Sequence, residues 1–373
     1  MNFELVTDAA QLPQIVAQCR SKPAVAVDTE FARFNTYYPI VGLVQLYDGE
    51  ACYLIDPLEV KDLSPLVDLL EDNSVVKVLH ACSEDVEVFC DALGVAPVPI
   101  FDTQIAAALL GVGFSVSYQN LVNHYLQIMV PKEETRSDWL QRPLTDSQLD
   151  YAALDVIHLL EVYELQVTEL QELGRSHWLA EECAQLAEDV PTQIDPEAYY
   201  HKVKNLWRLK PKQLYVLQQL CAWRERKARE RNLPRNRVVD EKALFQIAAL
   251  ELTDRKAFRD RAGMTPKQLK FHGDELEQLL DEIEATDPGA YPPAVQKISS
   301  PVSSKQLRSL KEVVEQRASE LNVAPEMLAK RRHLEQLVRS KEAGQFALPN
   351  ALQGWREDVI GDVLLEAAAS LST

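Results

Sequence analysis

Two acidic residues, Asp28 and Glu30, are the most informative chemical feature of this 373-residue sequence. They lie in Ala24-Val-Ala-Val-Asp-Thr-Glu-Phe31, a run that reads as a β-strand. Strand side chains alternate faces, so Asp28 and Glu30 project together beside Ala24 and Ala26, opposite Val25, Val27 and Phe31. Neighbouring carboxylates repel unless a cation lies between them. Oxygen ligands of this kind suit a hard divalent ion, Mg²⁺ or Mn²⁺. An acidic strand end facing solvent is the plainer account of the pair alone. A second constellation is Tyr151-Ala-Ala-Leu-Asp155, whose hydroxyl and carboxylate share one helical face. A third is Ser83-Glu84-Asp85, just after a strand pattern that ends at His80. Taken alone, an acid at a helix start is ordinary capping.

The elements that must hold these residues can be read from patterning. Val41 to Tyr47 and Ala51 to Ile55 flank Asp48-Gly49, a hairpin signal, so the first three strands form an antiparallel meander. Val75 to His80 is a fourth strand, and helices follow at about 83–93, 103–110 and 117–126. Thr145 and Gln148 fit a capping box that opens one long helix stopped by Gly174. This alternation predicts an α/β layer domain over residues 1–190. Two helical blocks follow at 203–287 and 302–373, separated by a Pro- and Ser-rich linker. Their openings are alike: Leu214-x-x-Leu217-x-x-Leu220 and Leu307-x-x-Leu310-x-x-Val313.

Net charge is −18, which taken whole disfavours a nucleic-acid partner. Its distribution points the other way: His201 to Asp240 holds twelve Lys or Arg and three acids, a local +9. A solvated basic helix face would look the same. Arg224, Arg226, Lys227, Arg229, Arg231, Arg235 and Arg237 form a candidate phosphate track there. Elsewhere Arg33, Lys132 and Arg142 could meet phosphates, Trp139 could stack on a base, and Gln45 and His80 are candidate substrate contacts. The six cysteines include no C-x-x-C pair and read as reduced core residues. The N-terminus lacks a signal-peptide pattern and no apolar run is long enough to span a bilayer, so a cytoplasmic protein without a membrane partner is expected.

In combination and order, the acidic constellations resemble the DEDD exonucleases, in particular their tyrosine subgroup and its ribonuclease D branch. Asp28-Thr-Glu30-Phe31 resembles the first exonuclease motif, Val78-Leu-His-Ala-Cys-Ser-Glu-Asp85 the second, and Trp139 to Leu144 with Gln148 to Val156 the third. Phe101-Asp-Thr103 fits a strand-to-helix turn of that group, and Leu217-x-x-Leu220-Cys-Ala-Trp223-Arg224 with Asn232-Leu-Pro234 resembles an HRDC domain. The resemblance implies an RNase H-like α/β exonuclease domain with a mixed sheet, followed by two all-α HRDC-like bundles. It implies two-metal hydrolysis in which Asp28, Glu30, Asp85 and Asp155 hold Mg²⁺ or Mn²⁺ and Tyr151 orients water. The implied activity is 3′-to-5′ trimming of structured RNA, tRNA precursors foremost. A proofreading-type DNA exonuclease and a non-catalytic RNA-binding adaptor are the competing functions. HRDC-like domains can also bind proteins, so protein partners stay open.

Overall fold

A computed structural model describes residues 2–131, 137–188, 194–295, 304–341 and 345–371, which leaves Lys132 outside the described residues. The chain forms two compact units. One comprises Met1–Ala32, Val41–Val190 and Ser300–Thr373, and the other Arg33–Ile40 and Pro191–Ser299.

The first unit is built on six strands: β1 (Glu4–Val6), β2 (Ala24–Ala32), β3 (Ile40–Tyr47), β4 (Cys52–Ile55), β5 (Val76–Leu79) and β6 (Ile100–Asp102). Their order across the sheet is β1-β4-β3-β2-β5-β6. The sheet is mixed: β3 and β4 run antiparallel across the Asp48-Gly49 turn, whereas β1/β4, β2/β5 and β5/β6 are parallel. The three-residue edge strand β1 carries too few residues for a periodicity and is not among the expected strands, whereas β6 runs into α4 at the expected strand-to-helix turn Phe101-Asp-Thr103.

Strand parity divides the interior. Val25 and Val27 join one apolar cluster with residues of α1 (Leu12–Arg20), α2 (Ser64–Leu70) and α3 (Ser83–Leu93). Ala24 and Ala26 face the other cluster, with α4 (Thr103–Leu109), α5 (Tyr118–Leu126), α6 (Asp146–Ile157), α7 (Leu159–Glu172) and α8 (Ser176–Glu188). The small alanines let helix α6 approach the strand that carries Asp28 and Glu30.

The expected single helix from Thr145 to Gly174 is two helices, α6 and α7, interrupted at His158. The interruption has a specific cause. The Tyr118 hydroxyl donates to the Leu154 carbonyl at 2.6 Å, the acceptor that a continuous helix reserves for the His158 N–H. That N–H turns instead to the Val156 carbonyl.

The second unit is helical: α9 (Pro211–Glu230), α10 (Arg235–Val238), α11 (Glu241–Ala249), α12 (Arg255–Asp260) and α13 (Pro266–Glu284) surround one apolar core. Tyr37, from the segment that follows β2, is buried in that core. The last helices, α14 (Ser304–Leu321), α15 (Pro325–Leu328), α16 (Arg331–Arg339) and α17 (Asp362–Ser370), belong to the first unit and extend its core. Trp355 stacks on Trp178 at 4.6 Å, Arg356 Nη2 donates to Glu182 at 2.8 Å, and the Ala324 N–H donates to the Ala108 carbonyl at 3.0 Å. Gly111 is required there: a Cβ would lie 2.4 Å from the Asn322 carbonyl oxygen, and its φ is +78°.

Candidate active site

Strand β2 delivers Asp28 and Glu30, and α6 delivers Asp155, to one point. A carboxylate oxygen from each lies within 4.8 Å of the other two. Helix α6 is placed by its start. Thr145 accepts from the Gln148 N–H at 3.2 Å, and Gln148 Oε1 accepts from the Thr145 N–H at 2.9 Å, the expected capping box. The buried Gln148 amide also donates to Ser137 Oγ at 2.9 Å and to the Asp138 carbonyl at 3.1 Å. The segment before α6 is thereby fixed against the helix it precedes.

Tyr151 lies one turn before Asp155, and its hydroxyl and that carboxylate shift each other's pKa: Asp155 raises the phenol, and Tyr151 opposes the rise of Asp155. The tyrosine ring lies 6.2 Å from that of Trp139, which is buried and packs rather than presenting a free face. Gly42 makes room for that packing, because a Cβ on β3 would come within 2.5 Å of the Trp139 carbonyl oxygen. Asp85, at the start of α3, is buried and accepts a hydrogen bond from the Thr29 hydroxyl. The backbone there is held by Asp102, which accepts from the Cys82 N–H at 2.9 Å.

Electrostatically the site is uncompensated. Burial, then Asp85, Asp155 and Glu30, push the Asp28 carboxyl far above the usual carboxylate range. Burial, Asp155 and Asp85 push Glu30 up to about 9. Burial pushes Asp85 and Asp155 up to about 7, against the opposing bonds from Thr29 and Tyr151. Asp28 and Glu30, raised by burial and by neighbouring acids, and Asp85 and Asp155, raised chiefly by burial, form a donor set suited to hard divalent cations, which would replace their protons.

Residues 3–171 match the 3′-5′ exonuclease family model, 213–280 the HRDC domain, and 301–364 the ribonuclease D C-terminal HRDC domain. Ribonuclease D of Pseudomonas paraeruginosa is 45% identical over 372 residues, covering 99% of this chain and 98% of its own. Ribonuclease D of Escherichia coli is 36% identical, with 98% of each chain covered. The crystal structure of the E. coli protein, described as an exoribonuclease involved in structured RNA processing, superposes with a TM-score of 0.91 over 99% of both chains. The chain belongs to the ribonuclease D family.

The ribonuclease D resemblance concerned an acidic site and a basic surface, and the basic residues fare differently from the acids. Arg142 is taken up internally: its guanidinium grips Asp56 through Nε at 2.5 Å and Nη2 at 2.7 Å, and Nη2 also meets the Gly42 carbonyl. That removes it from the expected RNA contacts. Gln45 is fully buried in β3 and Arg224 is 2% exposed on α9, so neither can touch a substrate as expected. His80 is turned inward: Nδ1 meets Thr103 Oγ1 at 2.9 Å and its ring packs against Tyr118. Arg229 and Arg235 pair with buried Glu225, whereas Arg226 and Arg231 remain exposed. Two contributors had no recognised sequence signal, Thr29 and Tyr118. Position within D-T-E could have drawn attention to Thr29; nothing local marks Tyr118.

Proposed function

We propose that the protein removes mononucleotides from RNA 3′ ends by hydrolysis with two divalent cations, Mg²⁺ or Mn²⁺, and that tRNA precursors are its main substrates. The observation that carries this reading is the trio of carboxylates able to meet one ion, with Tyr151 one helical turn from Asp155. Asp28, Glu30 and Asp155 suit one ion, and Asp28 with Asp85 suits the other. Bound there, the ions would offset the four negative charges, supply a water of lowered pKa and steady the leaving 3′ oxygen. Tyr151 is raised by burial and by Asp155, so its phenol stays protonated at neutral pH. It therefore orients a water by hydrogen bonding and is not itself the base.

The helical unit would hold the body of the RNA. A cavity of about 580 Å³ opens between Arg231, Arg237, Lys267, Phe271 and His272. Cations around an exposed aromatic ring suit an unpaired nucleotide and its phosphates. Arg226 adds charge on the exposed face of α9, beside its partner Glu197. No helix among the described residues is long and apolar enough to cross a membrane. A cytoplasmic enzyme acting on RNA transcripts is consistent with that.

The test is degradation of matched linear and circular RNA, labelled at either end, with and without EDTA. Label should leave the 3′ end first as mononucleotide, only with divalent metal, and the circle should survive. Rapid cleavage of the circle would identify an endonuclease. Faster turnover of a matched DNA oligomer would favour the proofreading alternative.

A further inference from the structure

Asp85 stands apart from the other three acids. The trio whose oxygens lie within 4.8 Å of one another is Asp28, Glu30 and Asp155, without Asp85. What holds Asp85 is a neighbour with no role so far. Thr29 lies between Asp28 and Glu30 on β2, so its side chain leaves the strand on the opposite face. Its hydroxyl donates to Asp85 Oδ1. Both residues are buried, at 5% and 8% exposure, so water does not readily replace the bond. An ionised carboxylate can only accept hydrogen bonds, and Thr29 supplies the donor.

Two of the four acids therefore lie on one strand, and a third is bound by the residue between them. Asp28 and Glu30 provide oxygens directly, and Thr29 fixes the third acid from the other face. Oδ1 is held by Thr29 and the start of α3 is pinned by Asp102, so the orientation of the Asp85 carboxylate is set from two sides. We propose that Thr29 is a positioning residue, whose hydroxyl orients Asp85 as a ligand of the second divalent ion. This rests on the two-ion reading of the same site. Removing the hydroxyl would leave a buried carboxylate short of a donor and free to rotate. Partners that orient metal ligands typically change metal affinity about tenfold to a hundredfold.

The experiment is Mn²⁺ titration of the intact protein without RNA, followed by calorimetry and by electron paramagnetic resonance. Wild type should show two sites. Thr29→Val, nearly isosteric, should weaken one of them about tenfold to a hundredfold and leave the other unchanged. Thr29→Ser should restore it, and Asp85→Asn should lose the same site. The Mg²⁺ concentration for half-maximal turnover should rise in parallel for Thr29→Val and return with Thr29→Ser. Melting in EDTA reports whether the valine variant is folded; if it is not, the serine and alanine variants carry the comparison, alanine weakening the site and serine keeping it. Two unchanged Mn²⁺ sites in folded Thr29→Val would overturn the role of Thr29 and leave the two-ion reading standing. Wild type with fewer than two sites would instead overturn the two-ion reading beneath it.

Discussion

Buried carboxylates occur in two settings in this molecule, and the contrast is instructive. Glu225, in the helical unit, is fully buried but answered: Arg235 Nε meets Oε2 at 2.6 Å, Arg229 meets Oε1 at 3.1 Å, and the Tyr37 hydroxyl donates to it. Burial would raise its pKa, yet bonds from Arg235, Tyr37 and Arg229 hold it below the usual glutamate value. Asp28 and Glu30 have the opposite surroundings, and the charged neighbours that shift them are all acids, Asp85 and Asp155 among them. A carboxylate matched by arginines is complete as folded. Buried acids pushed up by neighbouring acids lack that internal answer, a setting that a cation would relieve. The first arrangement serves packing, and the second is the setting in which the proposed ions would bind.

The contrast can be broken most severely at Asp28. Asp28→Asn should remove nearly all turnover, about a thousandfold or more, because both ions lose a ligand. It should also raise the melting temperature in EDTA, because a buried acid that folding forces to hold its proton is gone. Wild-type turnover in this variant would refute the assigned site. Glu225→Gln should do the reverse. Loss of one partner from a buried ion pair costs about 3–5 kcal/mol, so the helical unit should melt earlier while a dinucleotide is cleaved normally. Next is Tyr151→Phe, expected to slow turnover about tenfold to a thousandfold, or roughly 1.4–4 kcal/mol, without changing Mn²⁺ affinity. An unchanged rate would mean that Tyr151 only packs.

The two settings should also differ in sign with pH. Asp85 and Asp155 move from 3.8 to about 7 and Glu30 from 4.5 to about 9. Between about 4 and 9 the metal-free folded state thus binds more protons than the unfolded chain, and stability falls as pH rises through that window. Mg²⁺ should offset the fall, so its stabilising effect should be larger at pH 8 than at pH 5 in thermal melts. Glu225, held below its usual value, contributes stability above the unfolded pKa that is lost as pH falls. In Glu225→Gln that acid-side loss should shrink. The smallest effect is expected at the surface: Arg226→Glu with Arg231→Glu should flatten the slope of log affinity for single-stranded RNA against log salt by about 1.4, or 0.7 per lost phosphate contact. An unchanged slope would remove the exposed face of α9 from RNA binding.

The two helical blocks show where sequence patterning stops. Their openings have the same leucine rhythm, and both fold as helices. Rhythm selects helix and an apolar face but not the surface that covers it. Core residues of α9 close around Tyr37 and their own bundle, whereas Leu310, Val314 and Leu364 join the core that contains Ala106 and Leu121. Trp355 and Arg356 decide that second packing, through Trp178 and Glu182.

Spacing alone determined the parts of the site that lie on single elements. The two-residue period of a strand puts Asp28 and Glu30 on one side, and the four-residue turn of a helix puts Tyr151 beside Asp155. These are properties of local geometry, which the residue types largely dictate. Tertiary structure decided everything that depends on a distant partner. Asp56, 86 positions away, captures Arg142; Tyr118 interrupts the helix at His158; and Thr29 reaches Asp85 across 56 positions. A positive charge in the sequence states what a side chain could bind. Only the packed chain determines whether an internal partner has already bound it.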